Sequence, residues 1–104
     1  MVKECCFKDC KDTRHSTHSY CRYHAAVQFR KNLDFSTMSK SKYDNTNNCG
    51  ICDKFVDGPD KNIDHDDDNG LVRGILCNKC NRGIGNFDDN AWRLAKAAEY
   101  LSNA

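Results

Sequence analysis

Apolar residues are scarce in this chain of 104 residues: the hydrophobic fraction is 38%, low for a core that must sustain a fold unaided. No run of apolar residues is long enough to suggest a transmembrane segment. Met1-Val2-Lys3-Glu4 leads into no apolar stretch of the secretory kind either, so the expectation is an intracellular protein. A large charge of one sign is also missing, since the formal net charge is only +1. That small sum hides an asymmetry. Residues 1–43 carry nine Lys/Arg against four Asp/Glu, and residues 44–104 carry seven against eleven, so +5 and −4 give the +1. The basic half suits a polyanion, whereas the acidic half would face one comfortably only with a bound cation.

Cysteine, by contrast, is abundant, with eight in the chain. Secreted, they would form a disulfide framework; inside a cell, paired cysteines favour zinc, whose ligation supplies the folding free energy a small core lacks. Two groups stand out. In the first, Cys5, Cys10, Cys21 and His24 form a Cys3His set suited to tetrahedral zinc. Cys6 could replace Cys5 there, and His15 or His18 could replace His24. In the second, Cys49-Gly50-Ile51-Cys52 and Cys77-Asn78-Lys79-Cys80 are two Cys-x-x-Cys pairs separated by 24 residues, with Gly50 expected to permit the tight knuckle turn.

Between these groups, Tyr23, Ala26, Phe29 and Leu33 recur at helical spacing and predict a helix from Ser19, with Arg22, Arg30 and Lys31 on its other face. That face is either solvated or a phosphate-binding surface. Residues 34–48, rich in Ser, Lys and Asn without periodicity, read as a linker. Residues 61–66 and 71–76 read as the arms of a β-hairpin turning at Asp67-Asp68-Asn69-Gly70. A short helix or turn interrupted by glycines is expected after Cys80. A clearer helix follows, with Asp88 as N-cap, a staple between Phe87 and Trp92, and an apolar stripe of Ala91, Leu94, Ala95, Ala98 and Leu101 to pack on the hairpin. The organisation expected is an N-terminal zinc module with its helix over 1–33, a linker over 34–48 and a second zinc-held domain over 49–104.

Four thiolates saturate zinc, so the second cluster is a structural clamp and chemistry must lie elsewhere. Inside the clamp lie Asp64 and His65, and Asn81 follows directly on Cys80. A carboxylate and an amide oxygen are hard donors for Mg2+ or Mn2+, and a neutral imidazole can take a proton from water, which together suit metal-assisted phosphodiester hydrolysis. A regular strand would point Asp64 and His65 to opposite faces, so this chemistry needs a distorted strand or a phosphate lying across its edge. The bland alternative, a solvated acidic turn around Asp66-Asp67-Asp68, is weakened by the flanking pairs and Asn81. A calcium loop starting at Asp64 fails because Asn69 and Ile75 stand where glycine and glutamate are needed.

The run CGIC, then IDHD, then NGLVRGILCNKCN and AAEYL resembles the phage recombination endonuclease VII family of His-Asn-His (HNH) nucleases over about residues 48–101. The resemblance implies an α+β fold of the ββα-metal, treble-clef type and cleavage of DNA with Mg2+ or Mn2+. It also implies Asp64 and Asn81 as ligands of that ion, His65 as general base, and structural zinc on Cys49, Cys52, Cys77 and Cys80. Many relatives read DHDH, whereas this chain has Asp67 at the last of those positions. The N-terminal Cys/His cluster resembles a small zinc module that some such proteins carry. The long dimerisation helices of the best-known member have no counterpart here, which leaves a nicking enzyme or a junction-cleaving one, a monomer or a homodimer, acting in a host cytoplasm if phage-encoded. The rival from another class is a non-catalytic zinc protein that binds nucleic acid through its basic half, for which Asp64, His65 and Asn81 would have no use.

Overall fold

A computed structural model describes residues 3–6, 10–12, 20–30 and 32–103. In chain order these form α1 (Arg22–Phe29), α2 (Lys40–Asn45), a 3-10 turn (Gly58–Asp60), β1 (Asn62–His65), β2 (Val72–Leu76), α3 (Asn78–Asn86) and α4 (Ala91–Ser102). The fold is α+β, with β1 and β2 making a two-stranded sheet. The chain divides into two compact units, Met1–Thr46 with His65–Gly74, and Asn47–Asp64 with Ile75–Ala104. Among the described residues no helix is long and apolar enough to cross a membrane.

The hairpin forms where its two arms and the Asn69-Gly70 turn are expected. Gly70 takes a φ of +75°, a conformation that costs an L-residue its Cβ clearance. The turn is braced on both sides: the Asp66 carboxylate accepts from the backbone N–H groups of Asp68 at 2.8 Å and Asn69 at 3.3 Å. Backbone bonds from Gly70 N to Asp66 O (2.7 Å) and from Asp66 N to Leu71 O (2.9 Å) close it. Asp34 then adds to the second arm, its N–H donating to Gly70 O at 2.7 Å and its carbonyl accepting from Val72 N at 2.9 Å.

That contact corrects the expectation of a plain linker over residues 34–48. The stretch contains α2, capped by the Ser39 hydroxyl, which accepts from Lys42 N at 3.1 Å. It also buries Met38 and Tyr43. Tyr23 is the hub: its hydroxyl donates to Met38 O at 2.7 Å, and its ring packs against Phe35 and Tyr43 with centroids 5.6 and 5.4 Å away. A six-residue helix with one buried aromatic has too few apolar positions to show a period, which is why spacing alone missed it.

Helix α1 is shorter than its sequence spacing suggested. It ends at Phe29, leaving Leu33 outside, and Phe29 itself is exposed. The buried residues are the consecutive Tyr23, His24 and Ala25, because a core aromatic and a side chain of the first Cys/His cluster set the inward side instead of an apolar stripe. Ser19, Lys31, His15 and His18 lie outside the described residues.

In the second unit Val56, Ile75 and Leu76 are buried with Cys49 and Cys77. Helix α3 begins at Asn78, before Cys80, so Gly83 and Gly85 fall within it. Helix α4 begins later than expected. Asp88 and Asp89 adopt φ of 57° and 55°, so neither can serve as the extended N-cap, and Asn90 takes that role with its side chain accepting from Arg93 N at 2.9 Å. The anticipated stripe does not pack: α4 buries none of its residues, and Trp92, Tyr100 and Leu101 are exposed, which removes the staple as well.

A Cβ added at Gly70 would meet the backbone oxygen of Asn32 at 2.1 Å, in addition to the cost of positive φ. Gly70→Ala should therefore destabilise the zinc-loaded protein by about 2 kcal/mol or more, read as a lower midpoint in urea with a similar slope. An unchanged midpoint would contradict the close approach.

Candidate metal centres and active site

The two Cys/His groups assemble as the spacing predicts. Ligand atoms of Cys5, Cys10, Cys21 and His24 lie within 4.8 Å of one another, as do those of Cys49, Cys52, Cys77 and Cys80. Cys6 is exposed and outside the first group, so Cys5 is the member. None of the cysteines is in a disulfide. The separations have the size of tetrahedron edges. Zinc bonds to sulfur and imidazole nitrogen imply edges of about 3.8 Å for S···S and about 3.5 Å for S···N. In the second group Cys52 and Cys77 sulfurs are 3.8 Å apart. In the first, Cys10 and Cys21 sulfurs are 4.0 Å apart, and His24 Nδ1 lies 3.5 Å from Cys5 Sγ and 3.4 Å from Cys21 Sγ. Both groups can hold a structural zinc ion, with His24 presenting Nδ1.

Local backbone prepares the second group. Ile51 N–H points at Cys49 Sγ (3.4 Å) and Cys80 N–H at Cys77 Sγ (3.4 Å). Burial acts to raise the Cys49 thiol, yet N–H donors from Cys77, Cys52 and Ile51 hold it down at about 6. Cys80 goes the other way, pushed up to about 12 by burial and by the sulfurs around it. In the first group burial drives Cys21 up to about 12 and, together with the Lys40 ammonium, drives His24 down, keeping its imidazole in the neutral form that ligation needs.

Gly50 lies in the knuckle turn. The left-handed residue of the knuckle is Asp53, at φ 64°. Gly50 instead provides space: its N–H donates to Ile75 O at 2.9 Å, and a Cβ there would sit 3.3 Å from that oxygen.

Cys77 is both a member of the cluster and the N-cap of α3, so the metal site and the helix start at one residue. Asn81 is the fourth residue of that helix, its N–H donating to Cys77 O at 3.0 Å. A polar network unseen in sequence secures the same end of α3. Asp60 Oδ1 accepts from Asn78 N at 2.8 Å while its other oxygen takes Lys54 Nζ at 2.7 Å, and the Asn78 N–H and the lysine hold the carboxyl below its usual range. Asn62, opening β1, donates to Asn78 Oδ1 at 2.6 Å and to Leu76 O at 3.3 Å. Partners 16 and 18 positions apart leave no local spacing to detect.

Asp64 and His65 end β1, with Asp64 buried and His65 partly exposed. Asp64 and Asn81 belong to the second unit and His65 to the first. The Asp64 carboxylate and the Asn81 amide oxygen are each hard donors, the class that could hold a divalent ion. His65 Nε2 lies 3.2 Å from Asp67 Oδ1.

With β1, β2 and α3 consecutive and the cysteine pairs at both ends of the hairpin segment, the fold can be set beside known proteins. The family model described as recombination endonuclease VII matches residues 27–103, well over half of the chain. The chain belongs to that family. The crystal structure of the ββα-Me type II restriction endonuclease Hpy99I is similar at a TM-score of 0.51 and 28% identity, over 98% of this chain and 56% of that one. This chain thus spans little more than half the length of that enzyme. Among curated proteins none matches. The family and the structural neighbour give this chain a ββα-metal architecture, and the family match reaches upstream of the second cysteine cluster to include α2.

Metal analysis of the purified protein should return two zinc ions per chain. Cys77→Ser should release one and abolish the cooperative melt of the second unit, because it removes a ligand and a helix cap together. A full zinc content with an unchanged melting midpoint would contradict this assignment.

Proposed function

We propose that this protein is an HNH-type, metal-dependent DNA endonuclease in which zinc on the two Cys/His clusters is structural and a separate divalent ion serves catalysis. In this reading Asp64 and Asn81 hold one Mg2+ or Mn2+. When bound, that ion supplies charge stabilisation at the phosphate and at the departing oxygen. His65 accepts a proton from water at a ring nitrogen. The oxygen of that water bonds to phosphorus while the bond from phosphorus to the bridging ester oxygen breaks. The departing oxygen takes a proton from solvent, and His65 later returns its own.

The observation that carries the reading is membership of the endonuclease VII family combined with the residues kept at the hairpin: Asp64 and His65 at the end of β1, and Asn81 one residue after the last cysteine. A module that only bound nucleic acid would need the cysteines but not a hard donor pair and a histidine. The substrate form we infer is a DNA phosphodiester, cut as a nick in duplex or at a branch such as a Holliday junction. The active species is one copy or a pair.

Incubation with supercoiled plasmid and with a four-way junction should give cleavage with Mg2+ or Mn2+ and none with EDTA. His65→Ala should lower the rate at least 100-fold, about what loss of a general base costs, while zinc content and melting midpoint stay unchanged. Undiminished cleavage by that variant would remove His65 as base. Absence of cleavage by the parent protein under every metal condition would favour the binding module.

A further inference from the structure

We infer that Asp67 is a positioning residue for His65, fixing which imidazole nitrogen carries the proton. The inference rests on the proposal that His65 is the general base, and it adds how that base is prepared. A neutral imidazole has one N–H and one lone pair, and only the lone pair can take a proton from water. The Asp67 carboxylate has acceptors alone, so its Oδ1, 3.2 Å from His65 Nε2, selects the tautomer with the proton on Nε2. Nδ1 is then the basic nitrogen.

The turn sets the backbone on both sides of Asp67. Asp67 follows Asp66, whose carboxylate is committed to the N–H groups of Asp68 and Asn69 and whose backbone N and O bond Leu71 and Gly70. The three consecutive aspartates therefore differ in role: Asp66 folds the turn, and Asp67 reaches back two residues to His65. The two partners differ in exposure as an orienting pair should, with the His65 side chain 22% exposed and the Asp67 side chain 82%. His65 is seated by its strand, and Asp67 approaches from the solvent side. An exposed carboxylate adds little to stability, so the effect should appear in the chemistry and not in the melt.

The alternative is that Asp67 is only a negative charge beside a polyanion. The two roles predict opposite results. With full-length, zinc-loaded protein, plasmid DNA and Mg2+ or Mn2+, Asp67→Ala should lower kcat about tenfold with KM changed less than twofold, the low end for loss of an orienting partner. Asp67→Asn retains an acceptor oxygen and should recover most of that loss. A purely repulsive charge would instead give a lower KM and a higher kcat/KM in both variants. Independently of activity, nitrogen-15 spectra of the neutral imidazole should show a protonated Nε2 and an unprotonated Nδ1 for His65 in the parent and in Asp67→Asn, and a tautomer mixture in Asp67→Ala. If the spectrum of Asp67→Ala equals that of the parent, or its kcat is unchanged while His65→Ala is inactive, this inference fails and the general-base proposal stands. If His65→Ala is fully active, the general-base proposal fails.

Discussion

Cysteine clustering is the constraint on which the rest of this structure depends. Four of the twelve buried hydrophobic residues among those described are cysteines of the two groups. The apolar remainder is a handful of side chains in each unit, small for a chain this polar. A structural zinc ion contributes on the order of 10 kcal/mol or more of apparent binding free energy, comparable to the whole net stability of an ordinary domain. Each unit therefore pairs a few buried residues with one set of ligands: Tyr23, Met38 and Val72 beside Cys5, Cys10, Cys21 and His24, and Val56, Ile75 and Leu76 beside Cys49, Cys52, Cys77 and Cys80.

From that constraint follows the separation of structure and chemistry. The ligand set around Cys77 is closed, so it can hold but not react, and its worth lies in where it starts α3. A helix capped by a ligand has its first turn fixed by coordination as well as by hydrogen bonds, and the Asp60, Asn62 and Asn78 network reinforces that turn. Side chains one turn into such a helix inherit little positional freedom, which is what the ligand role proposed for Asn81 requires. The opposite situation holds at α4, whose caps are local and whose aromatic residues face solvent. Nothing in catalysis as proposed depends on it.

Legibility in sequence followed range. The two clusters and the hairpin are legible in the sequence because each rests on recurring cysteine and histidine positions or on a β-rich arm beside an Asn-Gly turn. The ββα architecture was reached through motif resemblance to the endonuclease VII family and not through periodicity. What spacing missed was either brief or non-local. Helix α2 has too few residues to display a period, and the Asp60 to Asn78 bond joins residues far apart in the chain. The start of α4 was misplaced because left-handed aspartates at 88 and 89 look in sequence like ordinary capping residues. The close approach of Gly50 to Ile75 O joins residues far apart in the chain and leaves no local spacing to detect.

The position of the hairpin between the two cysteine pairs has a kinetic meaning. Asp64, His65 and the turn all lie in the 24 residues between Cys52 and Cys77, so joining the pairs closes a loop that contains them. Loop closure of that length costs about 3 kcal/mol of chain entropy, which local hairpin contacts alone offset poorly. Each Cys-x-x-Cys pair is local enough to capture an ion before the other arrives. Zinc uptake in the proposed protein would then be the nucleating step of folding for this unit. The order of events would be capture, closure, pairing of β1 with β2, and growth of α3 from Cys77.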